Sequence, residues 1–222
     1  ALRPTRGFPG AGTLHPAPDW VVWPASVEQV QGLLRLANQH RVSLVPYGGG
    51  SGLMGGANPA SGGIVMDLGR LNRVRSISPA DRCVTVEAGA VLDDVNRALA
   101  AQGLTLGHDP WTVGVATVGG TISTDSLGYL GGAYGSMGDQ VLGLEVVLPD
   151  GTLVTTRGVS RRATGPHLER LLIGGEGCFG VVTAATLKAV PLPESRRLLA
   201  FDFPDFAAGF DAVGALHAVG LD

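Results

Sequence analysis

A run of glycine placed directly after an apolar strand constrains this 222-residue chain more than any other feature. Val42 to Val45 is short and apolar, as a buried strand is. Pro46-Tyr47-Gly48-Gly49-Gly50-Ser51-Gly52-Leu53-Met54-Gly55-Gly56 follows at once. Glycine adopts φ > 0 without a Cβ penalty, so successive backbone N–H groups in such a loop can point the same way. A concave nest of N–H groups binds phosphate without needing Lys or Arg. A flexible surface loop is the plainer reading of a Gly-rich stretch, but this one abuts a strand and is not alone in the chain.

Gly50-Ser51-Gly52-Leu53-Met54-Gly55 also fits G-x-G-x-x-G, the dinucleotide fingerprint. That fingerprint needs a helix opening within it, so that the helix N-terminus meets the pyrophosphate. Residues 55–63 hold four Gly and one Pro, which cannot sustain a helix. Asp67 sits near the spacing of a ribose-binding acid, but within the next apolar run, Ile64 to Leu68. The expectation is therefore a phosphate-binding loop between two strands.

Composition supports a packed core. Hydrophobic residues make up 45 % and charged residues 16 % of the chain, which is too apolar for disorder despite 35 Gly. A net charge of −3 without a basic block gives no footprint for nucleic acid. Cys83 and Cys178 are far apart, which favours a reducing, cytoplasmic setting over a disulfide framework. No apolar run is long enough to suggest a transmembrane helix, and the first residues carry no signal-peptide core.

The pattern along the chain is mixed. Residues 1–20 read as an irregular lead-in, and Trp20 to Trp23 as a short strand. Ser26 with Gln29 forms a capping-box start for a helix running to about His40. Strands are expected at Val42–Pro46, Ile64–Leu68, Val74–Ile77 and Val84–Ala88. A helix over Val91–Gln102 buries Leu92, Val95 and Leu99 and ends at Gly103. The stretch 104–138 shows no helical period, and loops of that length usually carry function. A hairpin then turns at Pro149-Asp150-Gly151, joining Val141–Leu148 to Thr152–Thr156. His167–Ile173 suggests a short helix, and Val181–Val190 a strand closed by Pro191-Leu192-Pro193. Beyond Pro193 a strand at Leu198–Phe203 and a helix capped by Asp205 begin a new unit. Phe206, Phe210, Val213 and Leu216 mark one face of that helix.

Four segments in this order resemble the PCMH-type FAD-binding domain of the vanillyl-alcohol-oxidase, or FAD-linked oxidase type 4, superfamily. They are Pro24-Ala25-Ser26-Val27-Glu28-Gln29-Val30, the Gly loop at 46–52, Gly107-His108-Asp109-Pro110-Trp111-Thr112 running on to Ala116–Gly120, and Gly174-Gly175-Glu176-Gly177-Cys178-Phe179-Gly180-Val181-Val182-Thr183. Tyr134-Gly135 and Asp139 fit the family's step before a long strand. Within the superfamily the chain looks closest to alkyldihydroxyacetonephosphate synthase and to the D-lactate and glycolate dehydrogenase group. The synthase branch has Thr and Leu where this chain has Cys178 and Phe179; the dehydrogenase branch has Thr-Asn-Ala-Gly where it has Thr124-Asp125-Ser126-Leu127.

The resemblance implies an α+β fold in which two α/β subdomains hold FAD between them. Residues 1–193 would form that domain, and 194–222 the truncated start of a substrate or cap domain. Pro46, Tyr47, Gly48, Gly49, Gly50, Ser51 and Gly52 would hold the pyrophosphate. Pro110, Trp111, Thr112, Val113, Gly114, Ala116 and Thr117 would line the flavin ring, with Gly119 and Gly120 passing close to it. Ser123, Thr124, Asp125 and Ser126 would continue along the ribityl-phosphate edge. Gly177, Gly180, Val181 and Val182 would contact the adenine side. Glu176 fits either a ribose hydroxyl or a turn cap, and Trp111 either the flavin or the core. For Thr112 and Thr117, flavin donation and ordinary loop capping are both open. His108 suits a general base by its pKa, but a structural His bonded to a loop carbonyl is the plainer reading. Relatives with covalent flavin carry His in the Gly loop or Cys in the third segment. Gly50 stands at the loop position and no Cys lies between Cys83 and Cys178, so FAD should be non-covalent.

The function implied is oxidation of a small 2-hydroxy acid by hydride transfer to flavin N5. The alternatives are alkylglycerone-phosphate synthase, a non-redox use of FAD, and a flavin-carrying non-catalytic subunit. The five His show no metal-ligand spacing. The catalytic base is not identifiable, and the rest of the polypeptide or a partner subunit should complete the active site.

Overall fold

The computed structural model describes residues 17–220. Most of the expected irregular lead-in, with His15 and the segment read for a signal peptide, lies outside the described residues. A short strand, β1 (Trp20–Val22), leads into helix α1 (Val27–His40). The Ser26 side chain caps α1 by accepting from Gln29 N–H, while Gln29 Oε1 reaches back to Ala25 N–H at 2.7 Å. One orphan donor of the first turn is thereby satisfied, together with the N–H of the residue before the cap. Val30, Leu34 and Ala37 recur at helical spacing and are buried.

Strands β2 (Leu44–Tyr47) and β3 (Ile64–Asp67) follow, with no helix between them. Both pair in parallel, giving a three-stranded sheet in the order β1-β3-β2. Asp67 is held as a structural acid: its Oδ2 accepts from Trp23 Nε1 at 3.0 Å and its Oδ1 from Gly69 N–H at 2.9 Å.

Next come β4 (Val74–Ser78), β5 (Cys83–Glu87), α2 (Leu92–Ala100) and the short β6 (Leu104–Thr105). Leu92, Val95 and Leu99 of α2 are fully buried, as their spacing predicts. The stretch expected to lack helix contains three: α3 (Val118–Ser123), α4 (Gly131–Tyr134) and α5 (Met137–Gln140). Each is too short and glycine-containing to show a period. α3 is set by the Thr117 cap on Gly120 N–H, and α5 by a capping box between Ser136 and Asp139.

Strands β7 (Val141–Val147) and β8 (Leu153–Thr155) form the expected hairpin, with Gly151 at φ +82 in the turn. Helix α6 (Glu169–Leu172) precedes β9 (Val181–Lys188) and β10 (Val190–Pro191). The large sheet is antiparallel in the order β4-β5-β9-β7-β8, and β10 pairs with β6. One core joins this sheet to α2 and α3 through Val86, Val118, Ile122 and Leu187. A second joins α1 to Met66, Leu71, Val147 and Val181. Burying each of these side chains contributes roughly 1.5–3 kcal/mol.

A row of charges crosses one face of the large sheet. Glu87 is fully buried, and its carboxylate accepts from Arg73 N–H at 2.9 Å and from Arg73 Nη2 at 2.8 Å. Arg75 forks onto Glu145 at 3.0 and 3.1 Å, and Glu145 accepts from Thr183 Oγ1 at 2.9 Å. Burial alone would raise the Glu87 carboxyl, but the Arg73 hydrogen bonds outweigh it and hold it below the ordinary glutamate range.

The described residues divide into two compact units, one ending at Pro191 and the other beginning at Leu192. The second contains α7 (Phe206–Ala218), capped by Asp205, whose Oδ1 accepts from Ala208 N–H at 2.8 Å. Phe206 and Phe210 stack on each other along it. The strand expected at Leu198–Phe203 does not form. Among the described residues it has no paired neighbour, and an unpaired strand leaves its backbone groups to water.

Candidate functional site

The C-terminal ends of the parallel strands β2 and β3 lie side by side, with Tyr47 opposite Asp67. This register brings the Gly loop after β2 next to Leu68. Gly89, just past β5, lies so close that an added Cβ would strike the Leu68 carbonyl. A cavity of about 410 Å³ opens there, within the usual range for a ligand site. Loop residues 46–57 form one wall, 110–127 a second and 176–182 a third, with Leu68 and Ala88 between them.

Close backbone approach makes the walls. A Cβ on Gly48 would overlap Thr117 Oγ1, and one on Gly49 would overlap the Val115 carbonyl oxygen. The Gly loop therefore lies directly on the segment leading into α3, and any other residue would push the two apart. Gly177 closes the other side, with Pro46 Cγ 3.0 Å from where its Cβ would stand. The third wall is stitched to α3 by Gly174 N–H donating to Ile122 O at 3.0 Å and Glu176 N–H donating to Ser123 O at 2.9 Å.

Among the described residues, none of the N–H groups of Gly48, Gly49, Gly50, Ser51 and Gly52 donates to a backbone carbonyl. Gly50 stands at φ +63, the left-handed conformation that turns successive N–H groups to one side. No Lys or Arg lines the cavity among the described residues, and Glu176 is its one charged wall residue. The loop thus presents dipoles rather than cations. This cradle fits a dinucleotide pyrophosphate, and the long wall from Pro110 to Ser126 fits a flat ring approached by backbone.

All the expected contact residues lie on the cavity wall except Val113, Gly114 and Asp125. Val113 turns into the large core instead. Gly114 sits at an exposed bend with nothing near an added Cβ. Asp125, at φ +45, spends its carboxylate on Gly138 N–H at 2.8 Å, which fixes the turn after α3. The wall also holds residues the sequence reading missed: Leu53 to Ala57, Leu68, Ala88, Thr121 and Leu127. Leu68 and Ala88 each follow the last residue of a strand, where ligands of sheet folds gather, and that position was the available signal.

The single residues each have a distinct setting. Thr117 caps α3 through Oγ1, which accepts from Gly120 N–H at 3.3 Å while still facing Gly48. Trp111 is 70 % exposed at the cavity edge and fills no core. Glu176 holds its turn by its N–H, not its carboxylate, which hangs opposite Gly56. His108 is buried behind the wall and hydrogen-bonds a hydroxyl, Ser126 Oγ at 2.8 Å, rather than the expected loop carbonyl. Burial depresses its pKa, against the opposing charges of Asp109 and Asp125, so the ring is neutral near pH 7. Cys83 and Cys178 are both free thiols. No helix among the described residues is long and apolar enough to cross a membrane.

Known proteins share this fold. Residues 18–157 match the FAD binding domain family. The chain is 35 % identical over 202 residues to glycolate oxidase subunit GlcD of Bacillus subtilis, covering 90 % of this chain and 43 % of that protein. It is 36 % identical over 208 residues to the probable mitochondrial D-lactate dehydrogenase of Danio rerio, covering 92 % and 41 % respectively. A solved structure of alkyldihydroxyacetonephosphate synthase superposes with a TM-score of 0.78 at 27 % identity, over 90 % of this chain and 36 % of that one. The chain thus spans less than half the length of the relatives it matches. The family match falls on the first two cavity walls, so the glycine cradle and the wall packed on it belong to an FAD-binding domain: this chain is a member of the FAD binding domain family, with FAD as its cofactor.

Proposed function

We propose that this chain is the FAD-holding portion of an oxidoreductase that converts a small 2-hydroxy acid to the 2-oxo acid. The observation that carries the reading is the glycine cradle at Gly48–Gly52 packed on Val115–Thr117, in a chain similar to a glycolate oxidase subunit and a D-lactate dehydrogenase. FAD, when bound, supplies the two-electron acceptor for that oxidation. The chain's own residues bind and orient it. Gly48 to Gly52 would offer N–H donors to the diphosphate, Pro110, Trp111, Thr112, Ala116, Thr117, Gly119 and Gly120 would lie along the ring, Ser123, Thr124 and Ser126 would follow the ribityl edge, and Gly177, Gly180, Val181 and Val182 would flank the adenine. Gly50 at the linkage position leaves the cofactor non-covalent. A 2-hydroxy acid needs a cation for its carboxylate and a base for its hydroxyl proton. No cation lines this cavity among the described residues, so the carboxylate's partner comes from another part of the polypeptide or a partner subunit.

Anaerobic addition of D-lactate or glycolate to the complete FAD-loaded polypeptide tests this. Bleaching of the flavin absorbance by either supports the reading. A second reading, a synthase that uses FAD without net redox change, is favoured by the 0.78 TM-score to alkyldihydroxyacetonephosphate synthase. Formation of alkyl-dihydroxyacetone phosphate, with no bleaching by hydroxy acids, would replace the first reading with the second.

A further inference from the structure

His108 is fully buried, lines no part of the cavity, and yet hydrogen-bonds a residue that does. Its Nε2 lies 2.8 Å from Ser126 Oγ, and Ser126 lines the cavity. Its Nδ1 is buried with no hydrogen-bond partner among the described residues. This asymmetry fixes where the ring hydrogen sits. A hydrogen on Nδ1 would be a buried donor facing no acceptor, which carries the full desolvation cost. A hydrogen on Nε2 has Ser126 Oγ within reach, and Nδ1 then carries only a lone pair. With Nε2–H donating, the Ser126 oxygen is engaged as acceptor and its own O–H is free to turn into the cavity. The opposite tautomer would consume the hydroxyl proton on the imidazole and leave only lone pairs facing the ligand.

We propose that His108 is a positioning residue: its Nε2–H holds Ser126 Oγ so that the serine hydroxyl faces the cavity as a donor to an acceptor atom of the bound flavin nucleotide. Donation from His108 also polarises the serine O–H, strengthening the bond that it makes. The backbone around the pair is fixed independently. Ser126 N–H donates to Thr121 O at 3.0 Å and Ser126 O accepts from Met137 N–H at 2.9 Å, so His108 governs the hydroxyl and not the loop. The inference rests on this cavity being the FAD site.

FAD titration of the apo-protein in a double-mutant cycle tests it, with Ser126→Ala, His108→Leu, the double variant and His108→Gln. A net hydrogen bond corresponds to about a tenfold change in Kd. Ser126→Ala and His108→Leu should each weaken FAD binding by about that factor, and the double variant no further. His108→Gln, whose amide nitrogen replaces Nε2, should restore most of the affinity. Losses that multiply across the double variant, or a His108→Leu protein that binds like wild type, would overturn the proposal. Should His108→Leu not fold, the ¹⁵N resonances of the wild-type imidazole decide: a protonated Nε2 supports the proposal, a protonated Nδ1 or an imidazolium refutes it. A Gly50→Val control separates the two claims. If it leaves FAD affinity unchanged, the cavity assignment and this inference both fall. If it abolishes binding while the cycle shows no coupling, only the role of His108 falls.

Discussion

Replacing Gly50 with Val should release FAD while leaving the fold in place. Gly50 stands at φ +63, and a Cβ there would come closer than 3.0 Å to the hydroxyl of Tyr47. Tyr47 is buried at the end of β2, so its ring has little room to retreat. A β-branched residue in the left-handed region costs about 1–3 kcal/mol in backbone strain, and the overlap with the tyrosine adds a comparable amount. The loop avoids most of this by leaving its observed path, and the cradle dissolves. A loss of about 2–4 kcal/mol corresponds to a roughly 30- to 700-fold rise in the Kd for FAD. The loop contributes no residue to either core, so the far-UV circular dichroism should not change. Gly114→Ala is the matched control. It lies in an expected contact segment, but nothing stands within 4 Å of its Cβ and its φ is ordinary, so its Kd should stay within about twofold. FAD titration by fluorescence quenching measures all three proteins. A Gly50→Val variant that binds within about threefold of wild type at full stoichiometry would refute the cradle.

Further outcomes follow from the same geometry. Acid precipitation of the FAD-loaded protein should release all the flavin into the supernatant, and colour retained in the pellet would contradict non-covalent attachment. Glu87→Gln should cost about 2–3 kcal/mol near neutral pH, because the Arg73 and Arg75 bonds lose their charged acceptor and the new amide N–H2 is set against arginine donors. The folded pKa of Glu87 is depressed, so its contribution is complete above the unfolded value of about 4.3 and fades as pH falls through the folded pKa. The gap in Tm between wild type and Glu87→Gln should therefore narrow on acidification, and a gap constant down to pH of about 3 would argue against the ion pair. The 222-residue chain loaded with FAD should not be bleached anaerobically by D-lactate, glycolate or 2-hydroxyglutarate. No wall residue among those described is a cation for the carboxylate, and bleaching would place substrate binding within this chain.

The parts of the fold that were legible in sequence are those with local chemistry. Ser26 and Gln29 announced α1, Leu92, Val95 and Leu99 announced α2, and the glycine and proline after Tyr47 excluded a dinucleotide helix. Helices α3, α4 and α5 were not legible, because four to six residues carry no period and their stability comes from caps and burial. The strand expected at Leu198–Phe203 shows the reverse error: an apolar run alone does not supply a pairing partner. At the site, segments were readable but facing was not. Val113 and Asp125 share loops with contact residues yet turn to the core and to Gly138, which tertiary packing decides. Ser126 was read as a contact residue, but its bond to His108 spans 18 positions and left no sequence signal.

Hydrogen exchange with and without FAD tests the central claim most directly, because the cradle is made of backbone N–H groups. FAD should slow exchange at Gly48 to Gly52 and at Gly177 to Val182. Protection concentrated elsewhere, with Gly48 to Gly52 exchanging as fast in the loaded protein as in the apo-protein, would contradict the account.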